Sequence, residues 1–123
     1  MRIRGLSWVG VKTEHHEDMR RFFTEVIGLE IAVQREDFTV YRLPGGDQLE
    51  LFGPHGPDPT EQFASNQVVA GLLVEDIERA VDELRRAGVE LIGEVGGVHD
   101  GYSWQHFRAP DGKVFELCSD PSR

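Results

Sequence analysis

Two carboxylates stand where apolar strand residues are expected. In "DQLELFG" (47–53) and "KVFELCSD" (113–120), Glu50 and Glu116 interrupt segments otherwise suited to half-buried β-strands. A carboxylate taken out of water needs a hydrogen-bond partner, a cation or a proton. Two of them facing one cleft could hold a hard divalent ion or exchange protons with a substrate. A histidine joins them. The turn "A-P-D-G-K" (109–113) suits a three-residue hairpin loop, a type I turn with Gly112 in the left-handed region. In that register His106 lies opposite Glu116, Trp104 opposite Cys118 and Arg108 opposite Val114, and opposed residues project to one face. A two-residue loop would instead set Gln105 beside Glu116. By the same reasoning Val40 lies opposite Glu50, with Phe38 nearby. A His106–Glu116 pair could work as general acid or base, or simply satisfy two buried polar groups.

Other titratable groups are less promising. The segment "EHHED" (14–18) carries ligand-type residues, but adjacent histidines diverge, so a solvated loop is expected. His55 and His99 fall in Gly-rich connections and are expected to be exposed. Cys118 shares the parity of Glu116 but has no evident activating base, so it reads as a small strand residue. No Gly-rich phosphate loop, nucleophile elbow or Ser-His-Asp arrangement occurs. Trp8, Phe38 and Trp104 could wall a site for a flat or cationic ligand, although core packing explains Phe38 equally well.

The elements that would position these groups come as one unit written twice. A strand is expected at about 6–13 and a helix at about 17–27, with Met19, Phe22, Phe23, Val26 and Ile27 on its buried face. Gly28 is placed to end that helix. Strands at about 29–34 and 37–43, the turn "PGGD" and the strand "QLELF" follow. The second half repeats the order: "VVAGLLV" (68–74), an Asp76-capped helix burying Ile77, Ala80, Val81, Leu84 and Ala87, then Gly88, "VELIGEV", "SWQHFRA" and "KVFELC". "PGGDQLELF" at 44–52 matches "PDGKVFELC" at 110–118 position by position. The Gly-rich "GEVGGVHDGY" absorbs the difference in spacing between the halves.

Such repetition predicts an α+β fold of two β-α-β-β-β units. They pair into a curled mixed sheet around a shared cavity, with the helices outside. A single domain over 1–123 is expected, with unit one at about 6–53, a linker at 54–66 and unit two at about 67–120. With 123 residues and 39% hydrophobic content the chain can bury a real core. A net charge of −9 argues against nucleic-acid binding and would suit a cationic ligand if the acids line the cavity. One cysteine, no bilayer-length apolar run and no export signal predict a cytoplasmic protein with no membrane partner.

Four stretches together, "WVGVKT…MRRFFTEVIGLE", "LPGGDQLELF", "VEDIERAVDELRRAGVEL" and "FRAPDGKVFELCSD", resemble the vicinal-oxygen-chelate superfamily over about 6–120. This superfamily includes glyoxalase I, bleomycin-resistance proteins, extradiol dioxygenases and fosfomycin-resistance transferases. The resemblance implies a metal site drawn from the first and last strand of each unit. The last-strand positions map onto Glu50 and Glu116; the first-strand positions, usually His or Gln, map onto Trp8 and Val69. Indole nitrogen is only a donor and valine has no polar atom. No tightly bound metal or other cofactor is therefore expected; a weak divalent ion, if any, would sit on Glu50 and Glu116. The resemblance then implies a binder of a small organic ligand, cationic or aromatic, as the bleomycin-resistance proteins are. Its pocket would draw on Trp8, Phe38, Val40, Glu50, Val69, Trp104, His106 and Glu116. The residues leave turnover undecided. The alternatives are a metal-dependent lyase, isomerase or dioxygenase using Glu50 and Glu116, or a metal-free enzyme with His106 and Glu116 as catalytic pair. Small members commonly pair as homodimers.

Overall fold

The computed structural model describes residues 1–57, 63, 66–97 and 101–123, and among these the alternating and helical patterns become eight strands, the helices His16–Arg21 and Ile77–Arg86 and a π-type turn. The first half runs β1 (Ile3–Lys12), α1 (His16–Arg21), β2 (Ile31–Arg35), β3 (Phe38–Arg42) and β4 (Gln48–Phe52). The second runs β5 (Val68–Val74), α2 (Ile77–Arg86), β6 (Glu90–Gly97), β7 (Ser103–Arg108) and β8 (Val114–Ser119). All eight strands join one open mixed sheet in the order β2-β3-β4-β1-β5-β8-β7-β6. Within each half the first strand runs parallel to the last, and antiparallel β1–β5 pairing joins the halves. The expected α+β architecture of two like units, curled with helices outside, is therefore the fold.

Strand alternation divides the core into two layers. Leu117 and Val74 pack under α2 against Ile77, Ala80 and Val81. Their neighbours Cys118 and Val114 face the opposite, concave side with Trp8, Phe52, Phe63 and Val69. Helix α2 starts where Asp76 Oδ1 accepts from the Arg79 N–H at 3.1 Å. It stops at Gly88, whose φ of 76° lets Val89 N–H reach back to the Leu84 carbonyl.

Both three-residue hairpin loops take the same form. Leu43 N–H donates to Asp47 O and Gly46 N–H to Leu43 O; Ala109 N–H donates to Lys113 O and Gly112 N–H to Ala109 O. Gly46 and Gly112 have φ of 97° and 92°, the left-handed geometry that closes such loops.

Two local expectations are corrected. The first helix does not run regularly to residue 27. After Arg21 the chain widens into a π-type turn at Phe22–Val26, with Ile27 N–H donating five residues back to Phe22 O. The wider turn breaks the 3.6-residue period, leaving Phe22, Val26 and Ile27 exposed, while Phe23 reaches Tyr41. The second correction concerns "EHHED": His16 is buried rather than solvated. The Thr39 hydroxyl donates to Gln34 Oε1 at 2.8 Å and therefore accepts from His16 Nε2–H at 2.9 Å. The His99 expectation, and parts of the expected linker and Gly-rich loop, lie outside the described residues.

Candidate functional site

The β1–β5 ladder places a quasi-two-fold axis near the Val9–Ala70 pair. Trp8 stands opposite Gly71, and Gly10 opposite Val69. Parallel partners extend the symmetry outward, Gly10 to Glu50 and Gly71 to Glu116. Val40 lies opposite Glu50 and His106 opposite Glu116, the register of the three-residue loop rather than the two-residue alternative. The axis therefore exchanges Trp8 with Val69, Glu50 with Glu116 and Val40 with His106. Gln105, which the shorter loop would have put beside Glu116, points the other way. Its amide donates to the carbonyls of Ile92, Gly93 and His106.

The two carboxylates share a strand position but not an environment. The Trp8 indole N–H lies near enough to Glu50 to favour its ionised form. Burial nonetheless pushes the Glu50 carboxyl up to about 7, with the nearby Glu116 charge adding to the rise and the Trp8 N–H opposing it. Glu116 is 4% exposed, and burial raises its carboxyl against the opposing pull of His106. His106 Nε2 sits 2.9 Å from Glu116 Oε2, not aligned as a hydrogen bond. Glu116 Oε1 is buried and has no partner among the described residues. Beside this pair Cys118 Sγ lies 2.7 Å from Ser7 Oγ and also bonds Tyr102. Burial pushes the thiol up to about 11, so Cys118 stays neutral.

Glycines admit the large groups. A Cβ on Gly10 would stand 2.3 Å from Trp8 Cη2, so the indole lies directly over that residue. A Cβ on Gly96 would likewise strike the Trp104 indole, at 2.4 Å. Gly71 lies beneath the other half: a Cβ there would be 3.1 Å from Trp8 Cβ and 3.2 Å from Glu116 Oε1.

A cavity of about 340 Å³ opens on this face, lined by Arg42, Gln48, Glu50, Tyr102, Trp104 and Asp120 among others. Glu50 and Trp104 are the residues named from sequence that line it. Trp8 and Val69 belong to the buried core behind it, Phe38 packs against that core, Val40 is buried, and Glu116 with His106 forms a separate inner pair. Sequence reasoning missed Tyr102, Arg42, Gln48 and Asp120. Parity offered a signal for two of them, since Tyr102 is two residues from Trp104 and Gln48 two from Glu50.

A metal drawn from the four first- and last-strand positions does not fit these side chains. Val69 offers no donor atom, Trp8 offers only an N–H, and His106 lies against Glu116. Among the described residues no three His, Cys, Asp or Glu side chains gather to hold an ion.

A two-unit curled sheet with a carboxylate on the last strand of each unit defines a class of protein. The Glyoxalase/Bleomycin resistance protein/Dioxygenase superfamily model matches residues 5–117, and the chain belongs to that superfamily. A search of curated proteins finds no match. Among solved structures, a glyoxalase/bleomycin resistance protein/dioxygenase superfamily member from Vibrio splendidus 12B01 is 22% identical with TM-score 0.67, the match covering 97% of this chain and 100% of that one. The Mn(II)-bound glyoxalase from Novosphingobium aromaticivorans is 20% identical with TM-score 0.73, over 97% of this chain and 40% of that one. Methylmalonyl-CoA epimerase from Mycobacterium tuberculosis is 16% identical with TM-score 0.70, over 96% and 89%. At these identities the likeness is one of fold.

Proposed function

We propose that this chain is a small-molecule-binding member of the superfamily that works without a tightly held metal. One observation carries the reading. The Trp8 indole, 5% exposed, occupies a position from which relatives take a metal ligand, and it can only donate a hydrogen bond. The quasi-symmetric position holds Val69, fully buried. Both Glu50 and Glu116 thus have protein neighbours in place of an ion. In front of them Trp104 and Tyr102, with ring centroids 6.1 Å apart, wall a cleft floored by Glu50. That lining suits a flat ligand bearing a cationic or hydrogen-bond-donating group. The reading extends to a cytoplasmic homodimer.

A second reading rests on the buried His106–Glu116 contact at 2.9 Å, an imidazole beside a carboxylate that could move a proton without a metal. The test separates the two. Sequestration predicts saturable binding of an aromatic amine with the ligand recovered unchanged. Catalysis predicts conversion of a substrate that is lost in both His106→Ala and Glu116→Ala. Conversion that survives both substitutions would remove this pair from any mechanism, and absence of binding across an aromatic amine panel would overturn the first reading.

A further inference from the structure

We infer that the cleft takes a zwitterion, a flat aromatic amine that also carries a carboxylate, and that Arg42 and Gln48 hold the carboxylate. The assignment rests on the ligand-binding reading above and adds to it the ligand's second charged group and the residues that recognise it.

Arg42 and Gln48 are ladder partners on β3 and β4, and Val40 and Glu50 form the next pair on the same face of that ladder. One wall of the cleft therefore carries a guanidinium and a carboxamide at one step and the Glu50 carboxyl at the next. Two residues along a strand span about 7 Å, so one small molecule can touch both steps. The groups of the first step are uncommitted. Among the described residues, neither the Arg42 guanidinium nor the Gln48 carboxamide has a hydrogen-bond or ion-pair partner. The charges beside them are already engaged. Asp120 Oδ1 accepts from the Ser122 N–H at 2.9 Å and from the Ser122 hydroxyl at 2.6 Å, and Arg123 Nη1 pairs with Asp47 Oδ1 at 2.7 Å. A guanidinium with free donors repels an amine and binds a carboxylate through two parallel N–H···O bonds, to which the Gln48 amide adds another donor. Glu50 accepts from the ligand's amine, and Tyr102 and Trp104 supply the wall for its ring. A net charge of −9 disfavours anions over the protein as a whole, so the attraction for a carboxylate is local to Arg42.

The test titrates benzylamine, 4-(aminomethyl)benzoate and 4-(aminomethyl)benzamide by calorimetry into wild type, Arg42→Gln and Arg35→Gln. The benzamide matches the benzoate in shape but carries no negative charge. Arg42 and Arg35 are both exposed, so neither substitution disturbs the core. Arg35, on β2, lies outside the cleft lining and controls for the loss of one positive charge. Wild type should bind the benzoate about tenfold or more tightly than the benzamide. Arg42→Gln should erase that preference, and Arg35→Gln should keep it. Three results would each overturn the inference: no preference in wild type, a preference that survives Arg42→Gln, or one lost equally in Arg35→Gln. In all three cases saturable binding of benzylamine would leave the binding reading standing. Failure of all three amines to bind wild type would overturn the binding reading, and the inference with it.

Discussion

Replacing Glu50 by glutamine should make the protein more resistant to denaturation in base and leave it nearly unchanged in mild acid. Burial holds the Glu50 carboxyl near 7, against a usual value of 4.5. The folded state therefore keeps a proton that the unfolded chain has already released. Between 4.5 and about 7 the folded form binds more protons, so stability falls as pH rises through that window. Below it both states are protonated and the burden is absent. Above it the full cost of ionising Glu50 in place applies, about 3 kcal/mol from that difference. Glutamine keeps the shape and a carbonyl oxygen for the Trp8 N–H but never ionises. Urea unfolding of wild type and Glu50→Gln should nearly coincide at about pH 4. By about pH 9 the variant's midpoint should lie higher by about 1–3 M, given an ordinary urea slope. Comparing the two proteins at each pH cancels other titrations apart from the coupling of Glu50 to Glu116. A difference that is independent of pH, or a wild type that gains stability on the variant as pH rises, would refute the reasoning. The first result would mean that Glu50 titrates in the folded protein as it does in the unfolded chain, and the second that the folded protein carries it as a stabilised anion.

Two further substitutions probe the supports of the site. Gly71→Ala places a methyl group 3.1 to 3.3 Å from Trp8 Cβ, Glu116 Oε1 and Cys118 Sγ, and overpacking there should cost about 1–3 kcal/mol by denaturant melts. A loss-free Gly71→Ala would show that these three groups are not packed around the glycine. Thr39→Val removes the hydroxyl between His16 Nε2 and Gln34 Oε1, leaving a buried donor unpaired and costing about 1–3 kcal/mol on the same assay. Stability unchanged in Thr39→Val would mean that His16 finds another acceptor.

The hairpin registers were legible because short turns carry their own geometry. "P-D-G" states where the left-handed glycine goes, and that position fixes which residue opposes Glu116. The repeat at 44–52 and 110–118 then carries the same statement to Glu50. What stayed hidden depends on contacts between distant segments. Nothing local says that Gly71 will run beside Glu116 in a parallel ladder, or that Gly10 will lie under an indole two residues earlier on its own strand. The sequence also suggested one chamber shared by both carboxylates, whereas the cavity is lined by Glu50 and not by Glu116. His16 looked solvated for a related reason: its partner Thr39 lies on β3, far along the chain. The π-type turn was equally invisible, since Phe22, Val26 and Ile27 satisfy a helical period that the backbone does not keep.

The most direct test of the central claim is the metal content of tag-free protein exposed in turn to Mn, Fe, Co, Ni and Zn ions and then desalted. With Trp8 and Val69 in place of ligands, retention should stay far below one ion per chain for every metal. One equivalent retained by wild type and lost in Glu50→Gln would contradict the account and make the two glutamates a working metal centre.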